Sequence, residues 1–138
     1  MIDRKDLQVD DLVMYLNHPY RIIELLKDKA TIRDMFFSED DLIDTEINEY
    51  VSYDELESIE LTEDVITLNG WKKRSYTTVT ETQRMEEITV WEQEGFPSLG
   101  KISNEGPFKY TLAMPLYWVH DLQHLIKACK VNKAIKII

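Results

Sequence analysis

Three apolar runs near the start of the chain are separated by turns too short for anything except hairpins. They are Leu12-Val13-Met14-Tyr15-Leu16, Tyr20 to Leu26 and Ala30 to Phe36. Asn17-His18-Pro19 and Lys27-Asp28 separate them, and these residue types favour turns. A parallel pair would need a crossover of a dozen or more residues. The runs are rich in Ile, Val, Thr, Tyr and Phe, which suit a pleated, half-buried surface. The expectation is an antiparallel meander, with a fourth strand over Ile47 to Tyr53 and a fifth over Leu56 to Leu61.

Thr62-Glu63-Asp64 then opens a two-turn helix. A threonine can cap free N–H groups, and the carboxylates suit the positive helix end. Gly70 can take the left-handed position that closes it. Strands are expected over Arg74 to Thr80, Glu87 to Gln93, Gly100 to Ser103 and Phe108 to Ala113. Gly95-Phe96-Pro97-Ser98 and Asn104-Glu105-Gly106-Pro107 read as turns between them. A helix is expected over Leu116–Ala128. Val119, Leu122, Leu125, Ile126 and Cys129, with Trp118, form one stripe at helical spacing. Ala134 to Ile138 reads as a last strand.

The fold class expected is α+β, mostly antiparallel β, with a first part at 1–61 and a second at 62–138. The second is an antiparallel sheet with one packed C-terminal helix, joined to the first by the short linking helix. No Ser/Gly/Pro-rich tether separates the parts, so a shared interface is expected. At 43% hydrophobic the chain can bury a core. No apolar run reaches the roughly 20 residues that span a bilayer. The start, MIDRKDLQVDD, is charged throughout, so no secretory signal is expected. Cys129 is the sole cysteine and excludes an internal disulfide, which fits a cytoplasmic location.

Charge is divided unevenly along the chain. Residues 1–70 carry nineteen Asp/Glu against six Lys/Arg, a net of −13. Residues 71–138 carry seven against ten, a net of +3, and the two sum to −10. A field of this sign steers toward basic partners and away from nucleic acid.

The phrase Asp11-Leu12-Val13-Met14-Tyr15 … Pro19-Tyr20-Arg21-Ile22-Ile23 resembles the opening of small SH3-like barrels. Three phrases in combination carry a wider resemblance. They are that opening, Leu61-Thr62-Glu63-Asp64 … Asn69-Gly70-Trp71, and Tyr117-Trp118-Val119-His120-Asp121-Leu122-Gln123-His124-Leu125. Together they resemble uncharacterised small proteins of Bacteroidetes phages, prophages and mobile elements. The resemblance implies a phage-associated, cytoplasmic protein with an SH3-like N-terminal meander, and it brings no activity with it.

Candidate chemistry is sparse. His120 and His124 stand four apart on a helix, a spacing that can hold a metal. The zinc-protease pattern also needs Glu after the first His and a third ligand downstream. Here Asp121 follows, and none of the fourteen residues after His124 is His, Asp or Glu. The expectation is a solvated polar face and no metal. The acidic residues Glu39, Asp40, Asp41, Asp44, Glu46 and Glu49 lack the mid-loop glycine of a calcium loop, since no glycine precedes Gly70. They are the candidate partner-binding residues. Lys72-Lys73-Arg74 beside Trp71 and Tyr76 could stack and neutralise single-stranded nucleic acid. A solvated strand edge is the plainer reading. Trp71, Trp91, Phe96, Phe108, Tyr110, Tyr117 and Trp118 are expected in the core. Strand alternation leaves open whether Trp91 or Ile88 and Val90 are buried.

No G-x-S-x-G elbow or glycine-rich phosphate loop occurs, and Cys129 is expected as a small core hydrophobe. No catalytic residue and no cofactor is expected. The functional expectation is a non-catalytic protein-binding module with a basic protein partner, acting through the acidic half. A DNA-mimic inhibitor of a host defence or transcription enzyme is the alternative, and an enzyme of unrecognised type the third. Membrane contact is not expected; self-association is compatible with the sequence.

Overall fold

A computed structural model describes residues 2–35, 48–79, 85–102, 105–110 and 114–138. The protein is α+β, built mostly of antiparallel strands in two sheets of four and five strands, with a helix near the C-terminal end. The chain divides into two compact units, Met1–Ile59 and Glu60–Ile138. Among the described residues no helix is long and apolar enough to cross a membrane.

The first unit is a meander of β1 (Leu12–Tyr15), β2 (His18–Leu25), β3 (Lys29–Asp34) and β4 (Asn48–Ser52), paired in that order. Val13, Ile22, Ala30, Ile32 and Val51 share the buried face, closed by Ile2, Leu7, Tyr53 and Leu56. A 3-10 turn at Tyr53–Glu55 follows β4, and the Tyr53 hydroxyl donates to the Leu26 carbonyl.

The first turn differs from the expectation. It consists of Leu16 and Asn17, both left-handed at φ 49° and 61°, while His18 and Pro19 already belong to β2. Two consecutive positive φ values make the mirror-image turn that matches strand twist. Pro19 is tolerated in the strand for a specific reason. It pairs with Met14, whose own N–H and C=O are turned to Glu57 at 2.8 and 2.9 Å. The Met14–Pro19 pair therefore needs no N–H from proline.

The expected fifth strand over 56–61 does not form. Single bridges replace it, Glu57 to Met14 in the first unit and Glu60 to Trp118 in the second.

In the second unit, α1 (Glu63–Leu68) is capped by Thr62, whose hydroxyl accepts from the Val65 N–H at 3.3 Å. The sheet runs β5 (Lys72–Val79), β6 (Met85–Glu92), β7 (Leu99–Ile102), β8 (Glu105–Tyr110) and β9 (Met114–Leu116), in sequence order. Gly106 and Pro107, expected in a turn, lie inside β8. They sit beside the register shift against β7 and beyond the reach of β9, where a missing ladder donor costs little.

The last helix is shorter than expected. α2 spans Val119–Ala128, and Leu116, expected to open it, instead ends the edge strand β9 with Met114 and Pro115. An edge strand accepts proline because one side of it donates to nothing. Val119, Leu122, Leu125 and Ile126 are buried as the stripe requires. Cys129 is exposed, because it caps the helix three residues past Ile126, the last buried position of α2. Residues 131–138 form no strand.

On β6 the face carrying Thr89 and Trp91 is buried, and Ile88 and Val90 are half-buried. Trp91 meets Phe108 edge-on at 4.9 Å, and Trp71 meets Phe96 at 5.1 Å. Tyr117 and Trp118 depart from the expected core and are exposed, at 53% and 41%. They lie in the link between β9 and α2, outside both elements.

Candidate functional site

The acidic residues singled out in the sequence mostly lie outside the described residues. These are Glu39, Asp40, Asp41, Asp44 and Glu46. Glu49 is described, exposed on β4 opposite Ile32. It stands at the end of the first sheet where β3 finishes and β4 begins.

That end of the sheet also carries a cluster the sequence reading did not pick out. β1 finishes there with Tyr15, and β2 starts there with His18 and Tyr20. β3 finishes there with Asp34, directly opposite Tyr20. His18 Nε2 lies 2.7 Å from Asp34 Oδ2, both about two-fifths exposed. The His18 ring meets Tyr20 edge-on at 5.3 Å, and Tyr15 meets Tyr20 at 5.8 Å. Partial burial pushes the Tyr20 phenol pKa above its ordinary value, and the charges of Glu49 and Asp34, then Tyr15, push it the same way. A phenol held neutral beside carboxylates remains a hydrogen-bond donor.

Leu16 stands at the tip of the turn between Tyr15 and His18, 81% exposed and left-handed. A branched apolar residue there gains no burial and bears conformational strain. Such outliers concentrate at working surfaces. On β4, Tyr50 is exposed as well, with the Lys29 ammonium 5.3 Å from its ring centre. Tyr50 and Lys29 alternate with Glu49 and Ala30 and lie on the other face of the sheet, so the cluster itself sets Tyr15 and Tyr20 beside the carboxylates of Asp34 and Glu49.

The histidine pair does something other than the sequence suggested. His120 is buried, at 3% exposure, and only His124 is half-buried. The expected solvated face is therefore corrected for His120, which sits in the first turn of α2. Their ring centres are 5.7 Å apart. Asp121 caps the helix: its Oδ2 accepts from the N–H groups of Tyr117 and Trp118 at 2.9 and 3.0 Å. That accounts for an acid at this position without catalysis. Among the described residues, no three His, Cys, Asp or Glu side chains converge to hold a metal.

Lys72, Lys73 and Arg74 lie exposed on the edge strand β5. Lys73 pairs with Glu63 at 3.1 Å and Arg74 approaches Glu92 at 4.0 Å. Two of the three charges thus already face carboxylates, and exposed pairs of this kind contribute little to stability.

No protein-family model, no curated protein and no solved structure matches this chain.

Proposed function

We propose that this chain is a non-catalytic protein-binding module that takes a basic protein partner through its acidic N-terminal half. The observation that carries the reading is the end of the first sheet. The half-buried Tyr15 and Tyr20 stand beside Asp34 and Glu49, and the exposed Leu16 follows Tyr15 in the turn. An apolar anchor with a charged rim is the usual build of a docking patch, the charge supplying on-rate and selectivity. The partner chemistry that fits is an apolar side chain flanked by Lys and Arg.

The same reading takes the meander as SH3-like. Four antiparallel strands, a 3-10 turn after β4 and the return of Glu57 to β1 support that description. A cytoplasmic, phage or mobile-element setting rests on the resemblance of the three sequence phrases.

The test is affinity capture from a bacterial lysate with three baits. They are the native chain, Leu16→Asn, and the triple change Asp40→Asn, Asp41→Asn, Asp44→Asn. The expected result is a protein held by the native chain at low salt, released at high salt and lost from both variants. Equal retention on all three baits, or no retention on the native chain, overturns the proposal. Displacement of the captured protein by DNA would identify the carboxylates as phosphate mimics.

A further inference from the structure

Residues 133 and 136, after α2, are tied to Asn69 at the C-terminal end of α1, and the Asn69 amide pairs with both backbone groups of Lys136. Asn69 Oδ1 accepts from the Lys136 N–H at 2.8 Å, and its Nδ2 donates to the Lys136 carbonyl at 2.7 Å. The same Nδ2 donates to the Val65 carbonyl at 2.7 Å, which fixes the amide's orientation. Asn69 is 2% exposed, so this is a built feature of the interior. Lys133 Nζ donates to the Asn69 carbonyl at 2.7 Å and lies 5.0 Å from the centre of the Phe96 ring. Ile135 is buried between these two attachments in sequence. The site thus reads a backbone pair, one lysine and one branched apolar side chain.

None of these contacts depends on the covalent path through residues 130–132. That path begins with a strained hinge. Lys130 has φ 60°, a left-handed conformation that side chains other than glycine disfavour. Short hinges under strain invite exchange of the segment that follows them.

We propose that the Asn69 site takes residues 133–136 of a second copy of this chain, forming a symmetric exchanged dimer. Each copy's Asn69 then brackets Lys136 of the other. The contacts in the dimer repeat those in the monomer, so the two forms differ in hinge conformation and in the entropy of association. Straightening the hinge releases the strain at Lys130 and exchanges the Lys130–Lys127 and Val131–Ile126 hydrogen bonds for bonds to water. A second copy also attaches at two reciprocal sites at once, which a foreign peptide does not.

The test measures mass by light scattering on the full chain from micromolar to millimolar concentration. Lys130→Pro locks φ far from the left-handed region and is expected to favour the dimer. Lys130→Gly relaxes the closed hinge and is expected to favour the monomer. The two dimer dissociation constants should differ by about tenfold or more. Ile135→Asp added to Lys130→Pro should abolish the dimer. Equal self-association of the two hinge variants, or a dimer that survives Ile135→Asp, overturns the proposal. If Lys130→Pro fails to fold, Lys130→Val replaces it, since it keeps the N–H and still disfavours the left-handed hinge.

Discussion

Lys130 occupies at the end of α2 the place that Gly70 occupies at the end of α1. Gly70 donates to the Thr67 carbonyl at 3.1 Å and Trp71 to that of Ile66 at 3.3 Å. Lys130 donates to Lys127 at 3.0 Å and Val131 to Ile126 at 2.9 Å. Both helices close with the same pair of bonds around a left-handed residue, at φ 100° for Gly70 and 60° for Lys130. Only one has the residue suited to it.

Lys130→Gly is therefore expected to stabilise the monomer by about 0.5–1 kcal/mol, the relief of strain exceeding the flexibility gained by the unfolded chain. Gly70→Ala is expected to destabilise. It adds strain, and its Cβ would lie 2.6 Å from Gln93 Nε2. Urea midpoints at low protein concentration measure both changes.

Asn69→Ala removes the amide that joins Val65 to Lys136. Three hydrogen bonds disappear inside the protein, so a loss of about 2–4 kcal/mol is expected. The amide protons of residues 133–138 should exchange faster in this variant by a larger factor than those of β6. Uniform acceleration across the second unit would mean that Asn69 does not hold this segment specifically.

At the start of α2, Asp121→Ala is expected to cost about 1 kcal/mol through the lost cap. His120→Ala should cost about 1–3 kcal/mol, because it empties a buried site, and His124→Ala should cost less. Equal effects of the two histidine changes in thermal unfolding would contradict their different burial.

Leu16→Asn separates stability from binding. Asparagine tolerates the left-handed turn position better than leucine, and the exposed side chain loses no burial. The variant should be as stable as the native chain or more so, by up to about 1 kcal/mol, yet fail to retain the partner. Stability from denaturation and retention from capture should thus move in opposite directions.

Tyr20 provides a pH test of the same cluster. Its pKa in the folded state lies above the ordinary value, so folding favours the neutral phenol. The stability this contributes is complete below the unfolded pKa of about 10 and disappears as the pH rises through the folded value. Glu49→Gln removes one source of negative potential and should lower the Tyr20 pKa. Ultraviolet titration of tyrosine in the native chain and this variant reads the change.

Much of the architecture was legible in the sequence because it rests on local physics. Short turns between β-type runs dictate antiparallel pairing, and Thr62 with Gly70 brackets α1 on both sides. Two departures arise where a distant residue decides. Pro19 can enter β2 because Glu57 takes the hydrogen bonds of Met14. Met114-Pro115-Leu116 becomes a strand because β8 lies beside it.

The candidate site was only partly legible. Glu49 stood out by charge, whereas Tyr15, His18, Tyr20 and Asp34 come from three strands and share no local motif. Their signal was confined to the register, His18 opposite Tyr15 and Asp34 opposite Tyr20.

The sequence by itself determined which residues could be strand, turn or helix, and the sign of the field around each half. Periodicity, turn chemistry and formal charge are properties of neighbouring residues. Only the tertiary structure decided that Trp91 is buried while Ile88 and Val90 are half-covered, that His120 is interior and Cys129 exposed, and that Asn69 grips Lys136. Each depends on what packs against a face or meets a polar group across the fold. Alternation and helical wheels show only which residues share a face, and not which face is covered.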